Sequence, residues 1–231
     1  MEHLFPFILG GIIALVHLIG EDLEGYIKGR RQEIVSFSSG ASITYIFLQL
    51  IPELHRIASE SSSTIFLFPL LGFSSIHLAE KYVAKGNLDE KEMKRDYAEI
   101  HSTFLFLYHG AVGYLVASLL MESAAQGLLF FLPIVLHVAV SSLSVTELHE
   151  SFVRKNVVKY AVTAAPLIGV LLHNQRAIAE QYFNSIFGTV IGMFFYVVIR
   201  DSIPREDKGR PLEYLLGMII YILIIFWAGT I

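Results

Sequence analysis

Cysteine is missing from all 231 residues, which excludes a disulfide framework and any thiolate-held metal or cluster. Charge is scarce as well. Asp, Glu, Lys and Arg make up 16% of the chain against 54% hydrophobic residues, and the mean hydropathy is +0.58, outside the makeup of a water-soluble domain. There is no excess of positive charge: a net charge of -4 and a pI near 6.1 leave no basic surface to neutralise phosphates, so nucleic acid is not an expected partner. The basic start and small-residue cleavage site of a signal peptide are lacking too, because Met1-Glu2-His3 leads directly into FPFILGGIIALVHLIG, which reads as a first span. The expected partner is a lipid bilayer.

What the chain has is apolar stretches able to cross about 30 Å of hydrocarbon, near 4–20, 35–54, 64–82, 102–121, 128–147, 157–173, 182–199 and 212–230. They predict an all-α polytopic membrane protein, a single transmembrane domain over 1–231 with eight helices. Pro69, Pro133 and Pro166 lie within three of these stretches and predict kinks. Basic residues fix the orientation, since positively charged loops stay cytoplasmic. They gather after span one (Lys28, Arg30, Arg31), span three (Lys81, Lys85, Lys91, Lys94, Arg95), span five (Arg154, Lys155, Lys159) and span seven (Arg200, Arg205, Lys208, Arg210), with only Arg56 and Arg176 opposite. The alternation predicts non-cytoplasmic termini and a charged cytoplasmic loop at 83–101.

Shifting the sequence by 152 lays TVIGMFFYVVIRDSIPR of span seven over FSSGASITYIFLQLIPE of span two, matching Gly40 with Gly192, Gln49 with Asp201 and Pro52 with Pro204. The same shift lays span six over span one and span eight over span three. Spans two and seven run in opposite directions, so the match predicts two inverted three-helix units around spans four and five, the 3+2+3 plan of many transporters. Ser36 then falls on Gly188, so each helix carries a small-xxx-small pair that permits close packing.

Two histidines lie deep in the central pair, His109 in span four and His137 in span five. Ionisable groups at that depth face a bundle interior or a cavity, and neutral imidazole is a common ligand of divalent metals. They are the candidate metal site, with Ser141 one turn from His137 on the same face. The alternative is that each imidazole bonds a nearby hydroxyl, such as Tyr108 or Ser141, and ties helices together. A second polar set falls near the predicted cytoplasmic ends: His17 with Glu21 and Asp22, His77 with Glu80, Glu99 with His101, and Glu147 with His149 and Glu150. It reads either as an exit relay for cations or as wet helix ends that snorkel and pair with Lys and Arg. Glu53 and His55 on the opposite side carry the same two readings.

On these residues the chain resembles the Zrt/Irt-like (ZIP) family of metal transporters over nearly its whole length. FSSGASITYIFLQLIPELH is similar to that family's second helix, with Gln49 where His-Leu-x-Pro-Glu has its histidine and with Pro52 and Glu53 retained. FFYVVIRDSIPRE is similar to the seventh, including Asp201 before the proline. In the fourth and fifth helices His109 and His137 match the first positions of the metal motifs. The chain departs from them elsewhere: Gly110 and Gly113 replace the asparagine and glutamate, and Val138 and Ser141 replace the acidic positions.

The resemblance implies a cell-membrane transporter carrying a divalent ion, zinc or iron, toward the cytoplasm, as substrate rather than cofactor. It implies His109 and His137 as ligands and Ser141, Gln49, Glu53, Asp201, His77 and Glu80 as pathway or accessory residues. A second copy of the chain is admitted as partner; no organic cofactor and no enzyme activity are expected. The lost carboxylates favour a second reading, a binding or regulatory membrane protein that retains the scaffold without transport. A third, an intramembrane metal hydrolase, lacks a visible base or third ligand near the two histidines.

Overall fold

Backbone N–H and C=O groups in hydrocarbon must bond to one another, and within one segment only a helix achieves this. The computed structural model describes the backbone of residues 4–85, 90–142, 155–202 and 209–229, and their side chains except at 21–28, 83–85, 90–98, 101, 142, 155–157, 180, 201 and 202. The described chain is all-helical, without a strand. Its rods are α1 (Leu4–Ile27), α2 (Arg31–Glu60), α3 (Leu67–Lys85), α4 (Glu90–Glu122), α5 (Ala124–Ser142), α6 (Lys155–Asn174), α7 (Phe183–Val197) and α8 (Pro211–Ala228). A π turn, Ile46–Leu50, widens α2, and a second, Val198–Ser202, continues α7.

Among the described residues, six helical stretches are long and apolar enough to cross a membrane: Arg31–Glu60, Ser63–Tyr82, Ser102–Glu122, Ala124–Ser141, Phe183–Arg200 and Pro211–Ala228. Leu4–Gly20 is a shorter apolar helix. Leu4, Leu70, Leu107, Leu223, Phe226 and Trp227 are each more than half exposed, an apolar surface that would drive association in water and that lipid tails cover without penalty. The chain is a membrane protein.

Much of the expected loop 83–101 is helix instead. The backbone of α3 continues to Lys85 and α4 begins at Glu90, and residues 86–89 between them lie outside the described part. Hydropathy marks EKEMKRDYAEI as a loop, but these are largely strong helix formers, and Glu90 and Lys94 have the favourable i, i+4 order. Pro69 requires no kink, because it falls in the first turn of α3, where an N–H has no helical acceptor in any case.

Pro133 lies inside α5 and removes the donor that would serve the Leu129 carbonyl four residues back. The Tyr221 hydroxyl of α8 donates to that carbonyl instead, the repair by a neighbouring helix that makes proline tolerable in a bilayer. Tyr221→Phe should therefore lower stability by about 1–3 kcal/mol, read as an earlier unfolding midpoint in detergent; an unchanged midpoint would mean that another donor serves Leu129.

Among the described residues, three helix pairs meet backbone to backbone through glycines. On α2 and α8, a Cβ on Gly40 would overlap the Tyr214 carbonyl, and one on Gly217 the Phe37 carbonyl. On α3 and α7, Gly72 meets the Thr189 carbonyl and Gly192 the Pro69 carbonyl. On α4 and α6, Gly113 meets the Pro166 carbonyl and Gly169 the Gly110 carbonyl. Apolar side chains gain little by leaving lipid for protein, so association rests on such close contacts. α4 occupies the middle, touching α1, α3, α5, α6 and α7, whereas α8 packs principally on α2.

Candidate functional site: a buried polar band

Ser123 alone separates α4 from α5. Gly127 then lies against Leu120, and its N–H donates to the Ser123 carbonyl, closing a tight antiparallel hairpin. His109 and His137 are each fourteen residues from Ser123, which puts both about 21 Å below the hairpin along their helices. The equal depth follows from the hairpin alone. Their residues are 2% and 3% exposed.

Their neighbours differ. The His109 ring lies edge-on to His17 at 5.3 Å between centroids and 5.6 Å from the Tyr108 ring. His17 Nδ1 is 3.1 Å from Thr163 Oγ1 on α6, so His17 links α1 to both α4 and α6. His137 Nε2 is 3.0 Å from Ser141 Oγ, and its ring meets Phe194 of α7 edge-on at 5.7 Å. The i, i+4 spacing expected to bring Ser141 to His137 does so.

A run of small hydroxyl residues on α2 extends the band. Ser36, Ser38, Ser39, Ser42 and Thr44 are buried; Ser39 and Thr44 bond back to the carbonyls of Val35 and Gly40. Ser38, Ser42 and Tyr45 share a helical face, and the Tyr45 ring contacts Phe130 of α5. Seven residues down each antiparallel helix from that contact stand Ser38 and His137, so the two are at like depth. Among the described residues the buried hydroxyls of Ser38, Ser42 and Tyr108 have no hydrogen-bond partner, a costly condition in a low-dielectric core.

His17 is the residue that sequence reasoning misplaced. Grouped with Glu21 and Asp22 it read as a wet helix end, but α1 runs on to Ile27 and His17 is only 9% exposed. Its partner Thr163 is 146 positions away, and no local pattern announces it. The side chains of Glu21, Asp22, His101 and Asp201, and residues Glu147, His149 and Glu150, lie outside the described part.

The remaining candidates sit nearer the helix ends. Glu80 accepts a 2.7 Å bond from the Tyr196 hydroxyl and pairs with Arg200, whose guanidinium lies 5.7 Å from the Tyr196 ring centre. His77 meets Tyr196 edge-on at 5.8 Å. This set ties α3 to the π turn after α7. Glu53 is held by Arg56 at 2.6 Å, with Glu60 on the other side of the guanidinium. Gln49 is half-buried within the π turn of α2.

Among the described residues no three His, Asp or Glu side chains converge as a metal-binding group. Gly113, standing where the resemblance expects glutamate, shows a physical reason, whereas Gly110, in the asparagine's place, leaves room for a Cβ 3.7 Å from the Ala165 carbonyl oxygen. A Cβ on Gly113 would fall 2.7 Å from the Pro166 carbonyl carbon, and one on Gly169 would fall 2.7 Å from the Tyr114 nitrogen. The α6 backbone thus fills the space a longer side chain at position 113 would need. No protein-family model matches the chain, and no curated protein matches its sequence.

Proposed function

We propose that the chain is a ZIP-like transporter that carries a divalent metal ion toward the cytoplasm, with eight spans arranged as α1–α3 and α6–α8 inverted about α4 and α5. One observation carries this reading: the π turns Ile46–Leu50 and Val198–Ser202 are separated by 152 positions, the offset that matches the two helices in sequence. Each is followed by its proline, Pro52 or Pro204, at the same spacing. The glycine crossings follow the same symmetry. Gly40 meets Tyr214 and Met218 while Gly192 meets Pro69 and Phe73; subtracting 152 from the glycine and adding 145 to the partners converts the second set to the first. Gly217 on Phe37 and Gly72 on Thr189 obey the same rule. For α3 and α8 the offset is therefore 145 rather than the 152 expected from sequence.

In this reading the ion crosses the polar band, passing imidazoles at His109 and His137 with His17 beside the first. The hydroxyls of Ser38, Ser42 and Tyr108 offer oxygens along the way. Two or three neutral ligands offset less of a divalent charge than a carboxylate set does, so the ion is held weakly and released readily. The absence of a three-ligand group among the described residues favours the second reading, a membrane protein that keeps the scaffold without moving ions.

Uptake of zinc and iron by cells expressing the protein, against cells with an empty vector, separates the two. Uptake above the control supports transport; equal uptake for both ions supports the scaffold. Reporter fusions at the two ends should report non-cytoplasmic termini, and a reporter in 86–89 should be cytoplasmic. A cytoplasmic C-terminus would overturn the eight-span inverted plan.

A further inference from the structure

At the hairpin end of the bundle, a cavity of about 610 Å³ opens between α4, α6 and the segment leading to α7, within the size range of small-ligand sites. Its walls include Ser118, Glu122, His173, Asn174 and Arg176. It thus holds a carboxylate and a guanidinium, and Arg176 makes no ion pair among the described residues. The other basic residue of this end, Arg56, is clamped by Glu53 and Glu60. Arg176 is also held at a φ of 50°, a left-handed conformation few non-glycine residues take. Two opposite charges lining one cavity without neutralising each other suit a ligand that carries both signs.

The cavity does not stand alone. Ile178 also lines a second one of about 560 Å³, which is almost wholly apolar and runs between α4 and α7 past Leu107, Ala111, Ile186, Val190 and Met193. Leu107 and Tyr182 on its walls are each 54% exposed, so it is open to the bilayer. From Tyr182 to Met193 the chain rises about 16 Å, close to the roughly 15 Å that one leaflet contributes to the hydrocarbon. A free zwitterion would use the polar cavity and leave this groove empty. An acyl chain attached to the same headgroup fills both.

We propose that the two neighbouring cavities together bind one phospholipid with a primary-amine headgroup from the leaflet at the hairpin end. Its phosphate rests on Arg176, its ammonium on Glu122 and one acyl chain lies in the groove between α4 and α7. The site is independent of the polar band and of any ion that crosses there.

Native mass spectrometry of the detergent-purified protein tests this with phosphatidylethanolamine, phosphatidylglycerol of the same chains, and O-phosphorylethanolamine. Wild type should retain phosphatidylethanolamine about fivefold more than phosphatidylglycerol, the effect of roughly one favourable headgroup charge contact. Arg176→Gln with Glu122→Gln, both at exposed positions, should erase that preference, and Ala111→Phe, which fills the groove, should lower retention of both lipids. Equal retention of the two lipids by wild type, or a preference that survives the double substitution, would overturn the headgroup assignment. Displacement of the lipid by equimolar O-phosphorylethanolamine, or unchanged retention in Ala111→Phe, would overturn the acyl-chain assignment.

Discussion

Cells expressing the His109→Ala, His137→Ala double variant should take up divalent metal no faster than empty-vector cells, a fall of about a hundredfold if wild type transports well. Loss of groups that merely orient metal ligands costs 10–100-fold in affinity or activity, and here the proposed ligands themselves are removed. An ion leaving water must have its hydration replaced as it enters a low-dielectric core. Without the two imidazoles, His17 and a few hydroxyls are what the band retains. His17→Ala alone should have a smaller effect, because His17 contacts His109 and Thr163 and acts in part by holding that ring. Gly11→Ala is the matched control, since a Cβ there meets nothing within 4 Å. Equal uptake by wild type and the double variant, at equal surface expression, would remove the histidines from the mechanism and put the scaffold reading first.

Gly40→Leu and Gly192→Leu should each cost about 4 kcal/mol or more, or abolish folded protein outright. Overpacking a core by a methylene or two costs 1–3 kcal/mol, but at these positions the first carbon already collides with a backbone carbonyl. Neither Tyr214 nor Pro69 can turn that carbonyl aside without breaking its own helix, so the whole helix must move. Gly40→Ala and Gly192→Ala should already be severely damaging for the same reason, whereas Gly11→Ala should be neutral or slightly stabilising, alanine being the better helix former. Detergent-solubilised yield and unfolding midpoint measure both. If Gly192→Leu were tolerated while Gly40→Leu was not, the two crossings would differ in kind and the symmetry argument would weaken.

The helices were legible because hydrocarbon demands long apolar runs, and the match of α2 with α7 was legible because Gly, Pro and a polar residue recur at one offset. The π turns themselves were not read from the sequence, although a proline at the same place in each helix asks the preceding turn to open. The 145 offset of α3 and α8 was not legible. It differs from 152 by seven residues, close to two helical turns, so both alignments keep the same face and hydropathy barely distinguishes them. Only the reciprocal contacts of Gly72 and Gly217 do. The depth of His109 and His137 could be read from the hairpin, and the contact of Ser141 with His137 from helical spacing. The place of His17 could not, because it depends on where α1 stops and on a threonine on another helix. Gly110 and Gly113 read in sequence as lost ligands, and only the position of Pro166 shows that α6 occupies the space beside Gly113.

The crossing of α2 with α8 also sets a timetable for biogenesis. Some 150 residues separate Glu60 at the end of α2 from Pro211 at the start of α8, so at 5–20 residues per second a ribosome leaves α2 waiting roughly 8 to 30 s for its partner. During that interval a helix with five buried Ser and Thr side chains and a glycine crossing point must sit in the membrane without the neighbour that completes it. Such a helix is poorly matched to bare lipid, and α5, which also packs on α2 and is made before α8, is the neighbour that can cover part of its polar surface in the meantime.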